Sequence, residues 1–189
     1  MRGFEMLEDK ERWNKRHVEK PMRKNVEPIL EKYIENATVG KALDIACGIG
    51  RNTHFIAEKG FEVDAVDLSD YALSQIDESE KINTIEVDLD SYTLKVNEYD
   101  LIVNINYLSR RLFPQIKEAL KPGGVVIFET FIVAHGDFNQ PANPEYLLRD
   151  NELLHAFIGL DIIYYEERYD INLRGEKTRV ASVVAKKRC

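Results

Sequence analysis

Nine residues, Ala42-Leu43-Asp44-Ile45-Ala46-Cys47-Gly48-Ile49-Gly50, constrain the fold more than any others in the chain. A short β-like run ends on two glycines, and residues 51–59 then carry a helical pattern stopped by Gly60. Strand, glycine turn and helix in that order predict an α/β sheet, and the pattern repeats. Residues 61–66 read as a second strand ending at Asp67, Ser69 caps a helix over 70–78, and 82–87 form a third strand ending at Asp88. A fourth strand is predicted over 99–105. A helix over 108–120 follows, stopping at Lys121-Pro122-Gly123-Gly124, and then a fifth strand over 125–131. Beyond a loop with Gly136, Pro141 and Pro144 lies a helix near 150–157, with Asp150 as its cap. Two last strands, 160–168 and 178–185, flank a polar turn and close the chain as an antiparallel hairpin.

Ahead of this alternation, residues 8–20 and 22–34 predict helices split by Pro21, lying outside the core or over its mouth. The expected division is an N-terminal helical lid over 1–40 and a ligand-binding domain over 41–189. With 189 residues, 44% of them hydrophobic, the chain suits one domain with a substantial core.

Lys and Arg number 26 against 33 Asp and Glu, a formal charge of −7, so the overall field repels phosphate backbones and disfavours nucleic acid as a partner. The longest apolar runs, such as 125–128 and 160–165, fall far short of the roughly 20 residues of a membrane helix. The first 20 residues are dense in charge and lack the apolar core of a secretory signal, so the expected address is the cytoplasm. Two cysteines, Cys47 and Cys189, without a Cys-x-x-Cys or suitably spaced histidines, argue against structural zinc and a disulfide framework. The expected partner is a small-molecule substrate, with the chain a monomer or a homodimer.

In an open parallel sheet, ligands bind outside the carboxyl ends of the strands. A glycine turn there admits a ligand to the backbone, and the next helix offers unpaired N–H groups. A dinucleotide fingerprint requires G-x-G-x-x-G, but from Gly48 the chain reads Gly48-Ile49-Gly50-Arg51-Asn52-Thr53. Asp44, just before the turn, would face a pyrophosphate unfavourably and suits a cationic ligand. Thr53 and Asp44 thus disfavour a nicotinamide oxidoreductase and favour S-adenosylmethionine.

The stretch from Ala42 to Gly50 resembles the first motif of class I S-adenosylmethionine-dependent methyltransferases. Asp67 after Val63-Asp64-Ala65-Val66 resembles that family's ribose-binding acid, Asp88-Leu89 its adenine-side position, residues 99–106 its fourth-strand motif, and Lys121-Pro122-Gly123-Gly124 its turn before strand five. The resemblance spans residues 41–186. It implies a Rossmann-like, doubly wound, seven-stranded, mostly parallel sheet with helices on both faces. It also implies a cofactor set of Asp44, Ala46, Cys47, Gly48, Gly50, Arg51, Asn52, Asp67, Leu68, Asp88, Leu89 and Asn104. Within the class, Gly48-Ile49-Gly50-Arg51-Asn52-Thr53, Tyr107-Leu108-Ser109-Arg110 and Phe128-Glu129-Thr130 are most similar to the tellurite-resistance-type small-molecule methyltransferases.

Roles follow from the residue types. A carboxylate at Asp67 accepts both ribose hydroxyl protons, Asp88 accepts from the adenine amino group, and Leu68 and Leu89 sandwich the ring. Each has a plainer alternative: Asp67 caps the next helix with Ser69, Asp88 caps a turn, and the leucines are core. Arg51 and Asn52 bond either the methionine carboxylate or the loop backbone. Cys47 is a small packing residue without a redox role.

Methyl transfer from a sulfonium is a direct displacement, so positioning can supply about 7–11 kcal/mol and a general base is optional. Candidates for the substrate wall are Trp13, Arg16 and His17 from the lid, Tyr107 and Arg110 after strand four, Glu129 and Phe131 from strand five, and His135. Of these, Tyr107, Arg110 and His135 are the candidates for catalytic contact. Trp13 equally anchors its helix, and Arg110 and Arg111 equally are solvated helix charges. The fourth strand ends Asn104-Ile105-Asn106-Tyr107 and lacks the Asn/Asp-Pro-Pro-Tyr/Phe lettering of nucleobase amino methyltransferases, which favours a small acceptor. Arg179 matches an arginine of the tellurite-resistance-type proteins, but their neighbouring His-Arg pair has no counterpart in Asp170-Ile171-Asn172-Leu173-Arg174-Gly175. The alternative to an enzyme is a non-catalytic S-adenosylmethionine-binding module acting through a partner.

Overall fold

A computed structural model of the chain describes residues 2–19, 25–171 and 175–188. Seven strands form one sheet in the order β3-β2-β1-β4-β5-β7-β6. They are β1 (Lys41–Ile45), β2 (Glu62–Asp67), β3 (Ile82–Glu86), β4 (Tyr99–Ile105), β5 (Leu120–Phe131), β6 (Asp161–Ile171) and β7 (Lys177–Lys186). The first five pair in parallel, whereas β7 runs antiparallel between β5 and β6. The order reverses beside β1, where β2 and β4 flank it, so the ligand crevice of such a sheet lies above the carboxyl end of β1.

Both faces of the central strands are buried, as parallel sheets require. Val125 and Ile127 point to one face, where they meet Leu101, Val103, Phe61 and Ile56; Val126 and Phe128 point to the other, against Ile102, Phe113 and Phe157. The helices α3 (Arg51–Glu58) and α2 (Pro28–Tyr33) cover the first face. On the second lie α5 (Leu112–Ala119) and α6 (Glu152–Phe157), where the rings of Phe113, Phe128 and Phe157 meet pairwise at 5.8–5.9 Å. Outside both faces, α1 (Arg2–Glu19) lies against α4 (Asp70–Leu73).

Helix ends depart from the sequence pattern where proline or a tertiary contact intervenes. The helix predicted over 22–34 begins at Pro28, because Glu27 before it is held extended (φ −71°, ψ 128°). The break expected at Pro21 lies outside the described residues. The helix expected from residue 108 starts at Leu112, which puts Pro114 in the first turn where its missing N–H costs nothing. Ser69 caps α4 as predicted, accepting from Ala72 N at 3.0 Å, yet the helix runs one turn, not to residue 78. Tight bonds from Gln75 N to Ala72 O and from Ile76 N to Leu73 O turn the chain so that Ile76 is buried beside Gly50. Asp150 does not cap α6; its carboxylate pairs with Arg179 at 2.9 Å, and Asn151 takes the cap position in a left-handed conformation. No helix among the described residues is long and apolar enough to cross a membrane.

Candidate functional site

Three left-handed residues shape the turn after β1: Ala46 (φ 54°), Gly48 (φ 56°) and Gly50 (φ 80°). A Cβ on Gly50 would meet the Ile76 side chain at 2.7 Å, so both its conformation and its packing require glycine. Cys47 N donates to Val66 O at 3.1 Å, tying the turn to the neighbouring strand. The Cys47 side chain packs with Ala65, Leu73 and Ile76, and burial pushes its thiol up, away from the thiolate form.

Acidic residues lie at or just beyond the carboxyl ends of the first three strands. Asp44 is 2% exposed and accepts a hydrogen bond from the Thr53 hydroxyl at 2.7 Å. Burial raises its carboxyl to about 7, opposed by that bond and by the charge of Arg51, and reinforced by Asp67. Thr53, which in the sequence only marks a missing third glycine, is therefore the support of the buried acid. Asp67 accepts from Gly48 N at 2.8 Å with one oxygen and from Ser69 N at 2.9 Å with the other, so it orders the glycine turn while each oxygen keeps acceptor capacity. Asp88 follows β3, accepting from Asp90 N and the Ser91 hydroxyl; Val87 N reaches Asp67 O at 2.9 Å, which aligns the two acids along one rim. Leu68 is half-buried between Asp67 and Ser69, while Leu89 belongs to the core.

The remaining candidates divide. Arg51 and Asn52, at the start of α3, hold the segment that precedes α2: Arg51 donates to Glu27 at 2.5 Å and to Asn25 O at 3.0 Å, and Asn52 accepts from Glu27 N. Asn104 is buried and donates to Tyr107 O at 2.7 Å, closing the turn after β4 together with left-handed Asn106. The Tyr107 phenol is half-buried and pushed up by that burial and by the charges of Asp90 and Asp88, which puts it on the Asp88 side of the rim. Arg110 grips Glu152 with two bonds of 2.6 and 3.0 Å and also donates to the carbonyls of Glu145 and Leu147, clamping α6 to the turn before α5. His135 is exposed in the loop after β5. Arg179 binds Val133 O, Asp150 and Glu167, and fastens that same loop to the hairpin. Part of the hairpin turn compared above, residues 172–174, lies outside the described residues.

Glu129 is 4% exposed; it accepts from the Ser182 hydroxyl at 2.5 Å and from Arg168 at 3.0 Å, and burial raises its carboxyl. Arg168 and Ser182 escape a local reading because they meet Glu129 only through the β5-β7-β6 register. Lys10 of α1 likewise lies outside the sequence pattern, whereas Asn14 belongs to the Trp13-Asn14 pair that resembles the N-terminal cap of several family members. Lys10 pairs with Glu86 at 2.6 Å and Asp70 at 3.0 Å, while Asn14 donates to Asp70 and accepts from the Ser69 hydroxyl. At the opposite end of the strands, a hollow of about 480 Å³ is lined by Lys41, Glu98, Asp100 and Lys121. These charges are already paired, Lys41 with Glu98 and Lys121 with Asp100.

Known proteins share the sequence pattern around the glycine turn and the fold of the sheet. Residues 42–124 match the family model described as a methyltransferase domain. YqeM of Bacillus subtilis, named as a methyltransferase, is 33% identical over 103 residues, 48% of this chain and 42% of that protein. TehB of Haemophilus influenzae, named as an S-adenosyl-L-methionine-dependent methyltransferase, is 26% identical over 165 residues, 78% of this chain and 57% of that one. The chain thus spans about half the length of these curated relatives. The crystal structure of Haemophilus influenzae TehB superposes with a TM-score of 0.72 at 21% identity, covering 85% of this chain and 61% of that chain. A Haemonchus contortus phosphoethanolamine N-methyltransferase solved with S-adenosylhomocysteine superposes at 0.66 and 18% identity, covering 85% and 51%. Residues 42–124 thus match a methyltransferase domain, and the chain resembles the TehB group of S-adenosyl-L-methionine-dependent methyltransferases in sequence and in fold.

Proposed function

We propose that the protein transfers the methyl group of S-adenosylmethionine to a small-molecule acceptor by direct displacement. One observation carries this: a left-handed glycine turn stands above the sheet's switch point with acids at the carboxyl ends of three successive strands, one of them, Asp44, fully buried. That arrangement suits a ligand with a cationic centre and a ribose, and the bound cofactor supplies the electrophilic methyl group. The chain's own residues orient and enclose it. Asp67 takes the ribose hydroxyls, Asp88 the adenine amino group, and Leu68 one face of the ring, with Leu89 as support from the core. Ala46, Cys47, Gly48 and Gly50 offer backbone groups to the methionine end, beside Asp44 and Asn104. Arg51 and Asn52 shape that end indirectly, through the segment they hold.

On the acceptor side, Tyr107 and His135 are the proposed catalytic contacts and Arg110 a positioning residue, with Glu129 and Phe131 as further parts of the proposed wall. Tyr107 borders the acceptor as a neutral phenol. Arg110 acts by holding α6 in place, and His135 is the base available to an acceptor that must lose a proton. An anionic thiolate or chalcogen needs no base. Titration calorimetry with S-adenosylhomocysteine, followed by methyl-transfer assays on thiols, phenols, amines and selenite, tests the proposal. The expected result is cofactor binding with turnover of at least one acceptor class; no binding at millimolar ligand overturns it.

A further inference from the structure

Lys10, Asn14 and His17 occupy one stripe of α1, at the i, i+4 and i+7 positions that stack on a helix face. The first two dock the helix along the carboxyl ends of β2 and β3. Lys10 bridges Glu86, the last residue of β3, and Asp70; Asn14 accepts the Ser69 hydroxyl at 2.6 Å and donates to Asp70 at 2.7 Å. Ser69 is two residues beyond Asp67, and its N–H already binds that carboxylate. The stripe therefore runs toward Asp67, and His17 is its next member.

His17 stands apart from its neighbours. Its Nδ1 is shielded from solvent and has no hydrogen-bond partner, alone in this among the described side chains. Trp13 covers one side of the imidazole, with ring centroids 6.1 Å apart. Burial makes the ring harder to protonate, the Asp67 charge acts in the opposite sense, and Arg16 adds to the burial effect; Asp67 is thus the acid that the imidazole senses. A buried nitrogen left without a partner is costly, and such atoms in folded proteins call for a reason. A ribose hydroxyl supplies one, since it can donate to a free lone pair of Asp67 and accept from an imidazole N–H.

We propose that His17 is a cofactor contact carried by the lid: its Nδ1–H donates to a ribose hydroxyl that Asp67 receives, which makes α1 part of the cofactor site. The inference rests on the methyltransferase reading above and assigns His17 to the ribose end, away from the acceptor. Calorimetry with S-adenosylhomocysteine and with its analogue lacking both ribose hydroxyls, on the wild-type chain and on His17→Leu and His17→Asn, tests it. The Asn amide nitrogen occupies nearly the place of Nδ1, so His17→Asn is the rescue.

Loss of one hydrogen bond predicts that His17→Leu binds S-adenosylhomocysteine about fivefold to tenfold more weakly, with His17→Asn within about twofold of wild type. All three proteins are expected to bind the analogue alike. Amide exchange over residues 2–19 should slow when S-adenosylhomocysteine is added to wild type, and slow less in His17→Leu. Unchanged affinity in His17→Leu overturns the inference, as does an equal loss against the analogue, which would make His17 a packing residue only. If the wild-type chain fails to bind S-adenosylhomocysteine, the methyltransferase reading falls and this inference with it.

Discussion

Asp44 sits between two charge states near neutral pH, and both stability and ligand binding depend on which one it adopts. Its carboxyl stands at about 7 in the folded chain against an ordinary value of 3.8, with burial as the largest cause. A group raised on folding contributes stability that is complete below the unfolded value and lost as pH rises through the folded one. Asp44→Asn is therefore expected to be more stable than wild type by roughly 2–4 kcal/mol at pH 8, the gap closing as pH falls toward 4. Urea unfolding across that range measures it; a gap that does not change with pH rules out Asp44 as its source. The same carboxyl makes a second, linked prediction. A cation near Asp44 favours its ionised form, so the affinity for S-adenosylmethionine relative to uncharged-sulfur S-adenosylhomocysteine should rise between pH 6 and 8. In Asp44→Asn that rise should vanish.

At the scale of elements, the strap ahead of α2 shows how tertiary contacts complete what local pattern begins. Arg51 and Glu27 are paired at 2.5 Å with side chains only 13% and 7% exposed, joining the start of α3 to the residue before α2. Arg51→Ala removes this charge-assisted bond and the one to Asn25 O, so it is expected to lose about 1.5–3 kcal/mol of stability. Faster amide exchange at Ile29 and Leu30 than in the rest of the core would locate the damage at the strap; an unchanged unfolding midpoint would show that the pair is replaceable. Strand positions were legible in the sequence because β4 and residues 125–131 are apolar runs, although β5 starts five residues earlier, at Leu120, and takes in the Lys121-Pro122-Gly123-Gly124 stretch expected as a turn, because Leu120 pairs with Tyr99 of β4. The glycine turn and the three acids were legible because their spacing is local. Helix ends were not, since Pro28 moves one boundary and the burial of Ile76 shortens α4. Nor was the engagement of Arg110, whose carboxylate partner Glu152 is 42 residues away. Sequence spacing identifies which groups can serve a site; packing decides which of them are already committed to holding an element.

The molecule as a whole carries a formal charge of −7, and the rim of the candidate site contributes Asp67, Asp70, Glu86 and Asp88 to that field. Lys10 answers two of these acids, so the rim remains net negative around its ligand. S-adenosylmethionine is one charge more positive than S-adenosylhomocysteine, and the two otherwise share their contacts. A field acting from beyond the immediate site is screened over about 10 Å at 0.1 M salt, whereas a buried neighbour such as Asp44 is screened far less. Raising the salt from about 20 to about 200 mM should therefore weaken S-adenosylmethionine binding by about twofold to threefold and leave S-adenosylhomocysteine nearly unchanged. Parallel calorimetric titrations of the two ligands separate these contributions. A salt-dependent gap belongs to the molecular surface, while any gap that persists at high salt and disappears in Asp44→Asn belongs to the buried acid. If both ligands weaken equally, the surface charge does not act on the cofactor, and preference for the charged ligand has to come from the residues in contact with it.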